Sequence, residues 1–222
     1  MVSVTLGRPT LSAMPLSPEE IHARVVEQVG PEGRLPMPPV ETWDMFPWEE
    51  VDTAEGRTWL PKVVQPPLDA EPPRWGEGDK PCQCASGEES PNAVWRNERW
   101  VVTTTDQPSG MPLMMFLHSR EHLDLADLDD AMAAEYGRIS IWLHRIMANL
   151  PHIGRVHVCK WGDGGAHLHV WFIARYERLP HIVGSMAVEW DEMLPPPPED
   201  VWRADVKLVA DRLAHHDGRA LV

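Results

Sequence analysis

The segment Gly164–Ala174, with the sequence GGAHLHVWFIA, decides how this chain is interpreted. Side chains of a β-strand point alternately to its two faces, so the alternation here predicts a strand over His167–Ala174. The apolar face, which belongs in the core, carries Leu168, Val170 and Phe172. The opposite face carries His167, His169 and Trp171. The sequence therefore predicts a strand that presents two imidazoles and an indole to a site.

The paired histidines indicate chemistry, because an imidazole with an unperturbed pKa of about 6.5 is largely neutral at pH 7. A neutral imidazole can attack phosphorus or bind a metal ion. The alternative is a half-buried strand whose histidines are only polar residues on a solvated face. Neighbouring motifs help to distinguish these interpretations.

Several segments resemble motifs of one family. His167–Arg175 resembles the signature of the histidine triad (HIT) superfamily, in which three histidines alternate with hydrophobic residues, although Trp171 stands in the third histidine's place. Ser109–Met115 is similar to the family's Pro-Gly-His-hydrophobic segment, and Ser119–Leu125 to its Pro-Lys-x-His turn. Cys82–Cys84 lies where zinc-bearing members, including the galactose-1-phosphate uridylyltransferase branch, carry Cys-x-x-Cys. The four segments follow the family's order.

The resemblance implies a nucleotidyl hydrolase or transferase acting on a nucleotide or nucleotide sugar. In the family the middle histidine, here His169, attacks the α-phosphorus, and water or a second substrate resolves the nucleotidyl-histidine. His167 and His157 are the other candidate catalytic residues. The candidate substrate-binding residues are Lys160, Gly164, Gly165, Trp171 and Arg175.

The chain departs from the family at the third histidine. Trp171 can only donate one hydrogen bond, whereas the histidine that it replaces handles a proton and contacts phosphate. The uridylyltransferase branch carries glutamine at this position. The turn before the motif is also shorter and lacks the usual hydroxyl residue. If the strands pair symmetrically about Gly162–Ala166, His157 lies opposite Trp171 and partly replaces the absent side chain.

The resemblance also implies a zinc site. In zinc-bearing members the cysteine pair and two histidines complete a tetrahedral site, and the matching residues here are Cys82, Cys84, His122 and His167. The ion would be structural and would connect the end of the N-terminal segment to the sheet. The departure is Cys-x-Cys in place of Cys-x-x-Cys; His118 is the substitute ligand if the register shifts.

Two other functions compete with catalysis at His169. One is a non-catalytic module that binds a nucleotide or metal and offers a partner surface. The other is a metal-dependent enzyme whose catalytic ion is held by His157, His167 and His169, because His-x-His on a strand is a common metal-ligand arrangement.

Composition narrows the class of protein. A chain of 222 residues that is 43% hydrophobic can bury one sizeable core. A net charge of −14 and a pI near 5.1 argue against general nucleic-acid binding, which needs a positive surface. Neither a membrane-spanning segment nor a signal peptide is evident, and three cysteines give no disulfide framework. We therefore expect a cytoplasmic protein.

The chain divides into a Pro/Trp-rich N-terminal extension, residues 1–79, and a HIT-like domain with a C-terminal helix, residues 80–222. More than half of the 23 prolines lie before residue 82, so regular structure there should be short. One helix is predicted from Ser17 to Gly30 by a capping box. Beyond it the extension should wrap the domain irregularly, with tryptophans and a phenylalanine as anchors: Trp43, Phe46, Trp48, Trp59 and Trp75.

The domain should be α+β, a HIT-like antiparallel sheet with packed helices. The predicted strands are Val94–Trp95, Trp100–Thr104, Leu113–Leu117, Val156–Trp161 and His167–Ala174. A helix capped by Asp127 should run to Leu150, and another should span Glu199–His215. The resemblance further implies a homodimer, formed through the longer helix and an edge strand.

Overall fold

A computed structural model describes residues 14–37 and 46–222 of the chain. The helices are α1 (Pro18–Glu27), α2 (Asp130–Ala148) and α3 (Glu199–Ala214). The strands are β1 (Trp48–Thr53), β2 (Gly56–Pro61), β3 (Ala93–Arg96), β4 (Trp100–Thr104), β5 (Leu113–Ser119), β6 (Ile153–Cys159), β7 (His169–Tyr176) and β8 (Arg219–Ala220). Short 3-10 helices lie at Gln83–Ser86, Leu125–Asp127 and Ser185–Glu192.

Six strands form one antiparallel sheet in the order β6-β7-β5-β4-β3-β8. Helices α2 and α3 cover one face of this sheet. The alternation in β7 places Val170 and Phe172 in the core beneath the helices, with Leu168 just before the strand. The predicted α+β class is confirmed, because the apolar face of each central strand is buried against a helix layer.

Two helix starts show how capping decides a boundary. Ser17 caps α1 and Glu20 closes the capping box, as the sequence predicts, although α1 ends at Glu27 before Gly30. The start predicted at Asp127 is wrong. Asp127 instead closes a capping box with Asp124 around a 3-10 turn, and Leu128 is extended, so α2 begins after Asp129, whose side chain accepts from Met132 N–H.

The register of β6 on β7 differs from the prediction. His157 pairs with Ile173, and Cys159 pairs with Trp171, so His157 does not lie opposite Trp171. The symmetric turn fails because β6 already ends at Cys159 and residues 160–168 form the connection. Leu168 N–H donates to the carbonyl oxygen of Leu123 at 2.7 Å, which keeps residues 167–168 outside the strand.

The N-terminal extension is more regular than predicted. β1 and β2 form an antiparallel hairpin, and Arg57 pairs with Glu50 and Asp52 across it. Trp48 and Trp59 are exposed on this hairpin, so they are not buried anchors. Trp43 lies outside the described residues. Among the described helices, none is long and apolar enough to cross a membrane.

The second face of the sheet carries a smaller apolar cluster. The 3-10 helix Ser185–Glu192 packs there against Met114 and Ile173, with Val25 of α1 at its edge. Asp191 docks the 3-10 helix, because it accepts hydrogen bonds from the backbone of Gly110 at 3.0 Å and of Met111 at 2.7 Å. Phe116 and Trp171 pack against the same cluster, so this cover extends toward the first residues of β7.

Candidate functional site

His169 lies at the start of β7 with its ring orientation set by a short backbone contact. Its Nδ1 is 2.7 Å from the carbonyl oxygen of His167. A carbonyl oxygen can only accept, so Nδ1 carries the proton, and in the neutral ring Nε2 keeps the lone pair. The half-buried ring therefore presents a nucleophilic nitrogen whose tautomer is selected by the backbone.

The glycine turn lies directly beside this ring. A side chain at Gly165 would place its Cβ 3.6 Å from His169 Cε1. The turn is held by Trp75, whose N–H donates to Gly164 O at 3.0 Å and whose carbonyl accepts from Ala166 N–H at 2.9 Å. The structure thus brings Gly165, one of the two predicted substrate-binding glycines, next to His169, and the N-terminal extension supports the turn that holds both glycines.

His118 is a site residue that our sequence analysis assigned only to metal binding in a shifted register. It pairs directly with His169 across β5 and β7, so both imidazoles share one sheet face. Its Nε2 is 3.0 Å from Thr103 Oγ1. Burial, with the neighbouring His167 and His169, lowers the pKa of His118 to about 4. The alternation of Leu113–Ser119 places His118 with Phe116 on this face and would have found it.

Trp171 occupies the remaining position of this face, which we call the histidine face and define by His118, His169 and Trp171. Its ring packs edge-on against Phe116 at 4.7 Å and against Trp161 at 5.2 Å. The indole Nε1 is buried and has no hydrogen-bond partner among the described residues. The Trp171 ring therefore borders the space beside His169, and its indole N–H is an unused hydrogen-bond donor.

Two predicted site residues, Arg175 and His157, lie apart from His169, and a third, Lys160, is held by a carboxylate. Arg175 is on the same face but six residues along β7, about 20 Å away. His157 is beside Ile173, and burial together with the nearby Arg175 lowers the pKa of His157. Lys160 pairs with Asp124 at 3.1 Å, so its ammonium group is already neutralised.

The predicted zinc ligands come together in what we call the Cys/His cluster, defined by Cys82, Cys84, His122 and His167. One ligand atom from each residue lies within 4.8 Å of every other. Cys82 Sγ is 3.3 Å from His167 Nδ1, and Cys84 Sγ is 3.4 Å from His122 Nδ1. Ligands of one tetrahedral zinc ion lie about 3.5 Å apart, so the arrangement fits zinc.

The 3-10 turn that follows Cys82 resolves the departure in cysteine spacing. The helix Gln83–Ser86 starts directly after Cys82 and turns the chain sharply enough to bring both thiols to one side. Burial and the neighbouring Cys82 raise the pKa of Cys84 to about 11. Two adjacent thiols resist joint deprotonation unless a cation compensates them, which is the chemistry of a cysteine-ligated metal.

Backbone groups next to the Cys/His cluster orient its histidine rings. His167 Nε2–H donates to the Ser119 carbonyl at 2.7 Å, which leaves Nδ1 as the nitrogen facing Cys82. Gly76, with φ of +95°, packs so closely that a Cβ there would lie 2.6 Å from His122 Cε1. Sequence reasoning missed Gly76, because its contact depends on a distant residue.

Charged side chains connect the segments around the histidine face and around the Cys/His cluster. Asp124 binds Arg74 at 2.8 Å and Lys160 at 3.1 Å, and Arg74 also donates to Gly162 O at 3.1 Å. Burial alone would raise the pKa of Asp124, but the Leu125 N–H, Arg74 and Lys160 lower it overall. This network links the N-terminal extension, the 3-10 turn and the glycine turn.

The alternative set of catalytic metal ligands is not supported. His167 directs its nitrogens to Ser119 and Cys82, and His157 lies four residues away from the His169 level of β7. Within residues 14–37 and 46–222, the Cys/His cluster is the one group of three or more ligands placed to hold a metal.

No family model and no curated protein matches the chain. Solved structures do. A hypothetical histidine triad nucleotide-binding protein from Sulfolobus tokodaii strain7 is 16% identical over 60% of this chain and 91% of its own, with a TM-score of 0.43. A zinc-bound histidine triad family protein from Mycobacterium smegmatis is 16% identical over 60% and 92%, with a TM-score of 0.41.

A histidine triad protein from Marinobacter aquaeolei VT8 is 19% identical over 56% of this chain and 88% of its own, with a TM-score of 0.45. Each of these proteins carries the name of the family that the sequence motif resembles.

Proposed function

We propose that this chain binds a nucleotide on the histidine face and transfers or hydrolyses its nucleotidyl group through His169. The observation that carries the proposal is the 2.7 Å contact between His169 Nδ1 and the His167 carbonyl. That contact fixes the tautomer and leaves the lone pair on Nε2, which is the requirement for covalent catalysis by a neutral imidazole. The resemblance of His167–Arg175 to the histidine triad signature supports the same role.

The proposed first step is displacement at the α-phosphorus. The Nε2 lone pair of His169 forms a P–N bond while the bond to the leaving group breaks, and the leaving group takes the electron pair. The positive charge on the ring is stabilised by the His167 carbonyl bonded at Nδ1–H. Water then attacks phosphorus and releases a proton to solvent, while the P–N bond breaks and its electron pair returns to Nε2, which restores the neutral imidazole. A second substrate hydroxyl or phosphate in place of water gives transfer instead.

Trp171 limits the kind of leaving group that the proposed substrate can carry. An indole does not ionise near neutral pH, so it cannot protonate a leaving amine. A leaving group that departs as a stable phosphate anion needs no such proton. We therefore expect a nucleoside diphosphate sugar, which releases a sugar phosphate, to react faster than a nucleoside phosphoramidate.

Zinc, when bound by the Cys/His cluster, would act as a structural ion that fixes the segment before β3 against the start of β7. A Cys2His2 set is a closed site with no open position for substrate. The chain's own residues, chiefly His169 with the glycine turn, would carry the chemistry.

The test is formation of a nucleotidyl adduct. The wild-type chain, incubated with a nucleoside diphosphate sugar or an adenosine phosphoramidate, should gain the mass of one nucleotidyl group in an acid-labile linkage. His169→Ala should lose the adduct and keep its far-UV circular dichroism spectrum. His157→Ala is the matched control, because His157 is also on this sheet face but pairs with Ile173, and it should form the adduct normally.

Absence of an adduct and of turnover across a nucleotide panel would refute catalysis. If wild-type and His169→Ala then bind a nucleotide equally well, the non-catalytic binding module becomes the function. If neither binds a nucleotide, the whole proposal fails.

We also propose a homodimer formed through α2 and the edge strand β6. Ile141 of α2 and Val158 of β6 are each about half exposed, although both are large and apolar. These elements pack against one another, so their exposed residues belong to one side of the domain. Light scattering at micromolar concentration should give twice the chain mass, and Val158→Glu should give a monomer. A wild-type monomer at every concentration would refute this.

A further inference from the structure

An aromatic cavity lies in a part of the molecule that the proposed chemistry does not use. It is formed between the β1–β2 hairpin and the 3-10 helix Ser185–Glu192, and its volume is about 410 Å³. Phe46, Trp48, Trp59 and Trp190 line it, with methionines between them. His169 and the Cys/His cluster do not contribute to it.

Two of the indoles that line the cavity keep a large exposed surface. Trp48 is 39% exposed and Trp59 is 44% exposed, although both are large and apolar. Phe46 stacks on Trp48 with 5.3 Å between ring centroids and 23° between ring planes. An indole face carries negative electrostatic potential, so it attracts cations more strongly than other aromatic side chains do.

Two carboxylates complete the cavity. Glu189 and Glu192 both line it, and within the described ranges neither of them forms an ion pair with a basic side chain. The cavity lining includes no described lysine, arginine or histidine. Burial, and then repulsion from Glu192, raise the pKa of Glu189, as expected when two carboxyl groups share a partly desolvated surface.

We propose that this cavity is a binding site for a small organic cation with an apolar body, of the quaternary ammonium class. Three indoles and a phenyl ring supply cation–π contacts, and Glu189 and Glu192 supply compensating charge. The methyl groups of such a cation would also contact the methionine side chains, which adapt readily to irregular shapes.

The charge of the cavity distinguishes this ligand from other classes. An anion such as a phosphate would be repelled by both carboxylates. A neutral apolar molecule would fill the volume but leave the charge of Glu189 and Glu192 uncompensated. A cation without an apolar body, such as a hydrated metal ion, would have to lose water to reach the ring faces.

The experiment compares choline with 3,3-dimethylbutan-1-ol, which has the same shape and no charge, by isothermal titration calorimetry on the full chain. We expect choline to bind about tenfold more tightly than its neutral analogue. Glu189→Gln should weaken choline binding severalfold and leave binding of the neutral analogue unchanged. Trp59→Leu should weaken both ligands, and choline more.

Two control variants lie outside the cavity. Glu71→Gln removes an exposed carboxylate, and Trp75→Leu removes an exposed indole; both should bind choline within twofold of wild type. Titration in added sodium chloride separates site binding from general attraction to an acidic chain, which salt screens.

Equal affinity for choline and its neutral analogue would overturn the proposal in favour of an uncharged apolar ligand. Absence of saturable binding for both probes would overturn it as well. Because the cavity shares no residue with the histidine face, either outcome is independent of the adduct formed at His169.

Discussion

His167 and His169 are two residues apart in the sequence, yet the structure gives their rings different partners. His167 donates through Nε2 to the Ser119 carbonyl and turns Nδ1 to Cys82. His169 donates through Nδ1 to the His167 carbonyl, so its lone pair is on Nε2. The carbonyl within reach selects the tautomer of each ring, and the two tautomers suit the roles that we propose, zinc ligand for His167 and nucleophile for His169.

The Cys/His cluster and the surroundings of His169 also differ in how far apart in the sequence their residues lie. The Cys/His cluster joins residues 82–84, 122 and 167, and it is supported by the backbone at Gly76. The orientation of His169 depends on one local contact within the same segment. We therefore expect changes in the Cys/His cluster to affect stability and changes at His169 to affect chemistry.

The largest expected effect comes from Cys84→Ser. Loss of one thiolate should remove bound zinc and lower the free energy of unfolding by several kcal/mol, because structural zinc binding is coupled to folding. Zinc content by mass spectrometry and urea unfolding measure the two effects. Cys159→Ser is the matched control, since Cys159 is half-buried opposite Trp171 and outside the cluster, and it should keep its zinc. Absence of metal in wild-type protein purified without chelator would contradict the prediction.

The next effect concerns the histidine face and depends on pH. The pKa of His118 is about 4 in the folded chain, against 6.5 for an unperturbed histidine. Between these values the unfolded chain binds a proton that the folded chain does not, so stability falls as pH falls, by up to ~1.4 kcal/mol per pH unit. His118→Gln, at the same zinc loading, should show a correspondingly shallower loss of stability between pH 6.5 and 4.

The control for that experiment is His181→Gln, which removes an exposed histidine outside both regions. Parallel stability curves for wild type and His118→Gln would show that the His118 imidazole is protonated in the folded chain, contrary to its burial beside two other histidines.

A smaller effect tests the support of the Cys/His cluster. Gly76→Ala and Gly78→Ala both place a side chain at positive φ, +95° and +60°, which costs about 1–2 kcal/mol in each case. Only Gly76→Ala adds a contact with His122, because nothing lies within 4 Å of a Cβ at Gly78. Gly76→Ala should therefore be the less stable variant and should bind zinc roughly tenfold more weakly. Equal zinc affinity in the two variants would show that Gly76 does not constrain His122.

Local patterns predicted much of the fold. The capping box at Ser17, the hairpin of β3 and β4, and the alternation around His169 are each encoded within about ten residues, and the structure contains all three. The start of a helix is not determined by local sequence where two capping residues compete. Asp127 and Asp129 are both good capping residues, and only the geometry of Leu128 decides between them.

The candidate site was predicted where the family resemblance supplied the partners. The four residues of the Cys/His cluster were named from the order of their motifs, and the structure places their ligand atoms together. The pairing of His157 with Trp171 was wrong, because a strand register depends on where the turn closes and not on residue spacing. The β1–β2 hairpin was not predicted, because the many prolines of the N-terminal extension favoured an irregular structure over two short strands.

By itself the sequence determined the alternation of β7, the presence of residue types able to bind zinc, and an imidazole at the position that resembles the nucleophile of the histidine triad signature. Those features depend on chain periodicity and side-chain chemistry, which a sequence contains directly. Only the tertiary structure decided which carbonyl each ring contacts, that His118 faces His169, and that Glu189 and Glu192 line the same cavity as the hairpin indoles. These depend on the pairing and packing of distant segments, where a shift of one residue would turn each side chain to the other face.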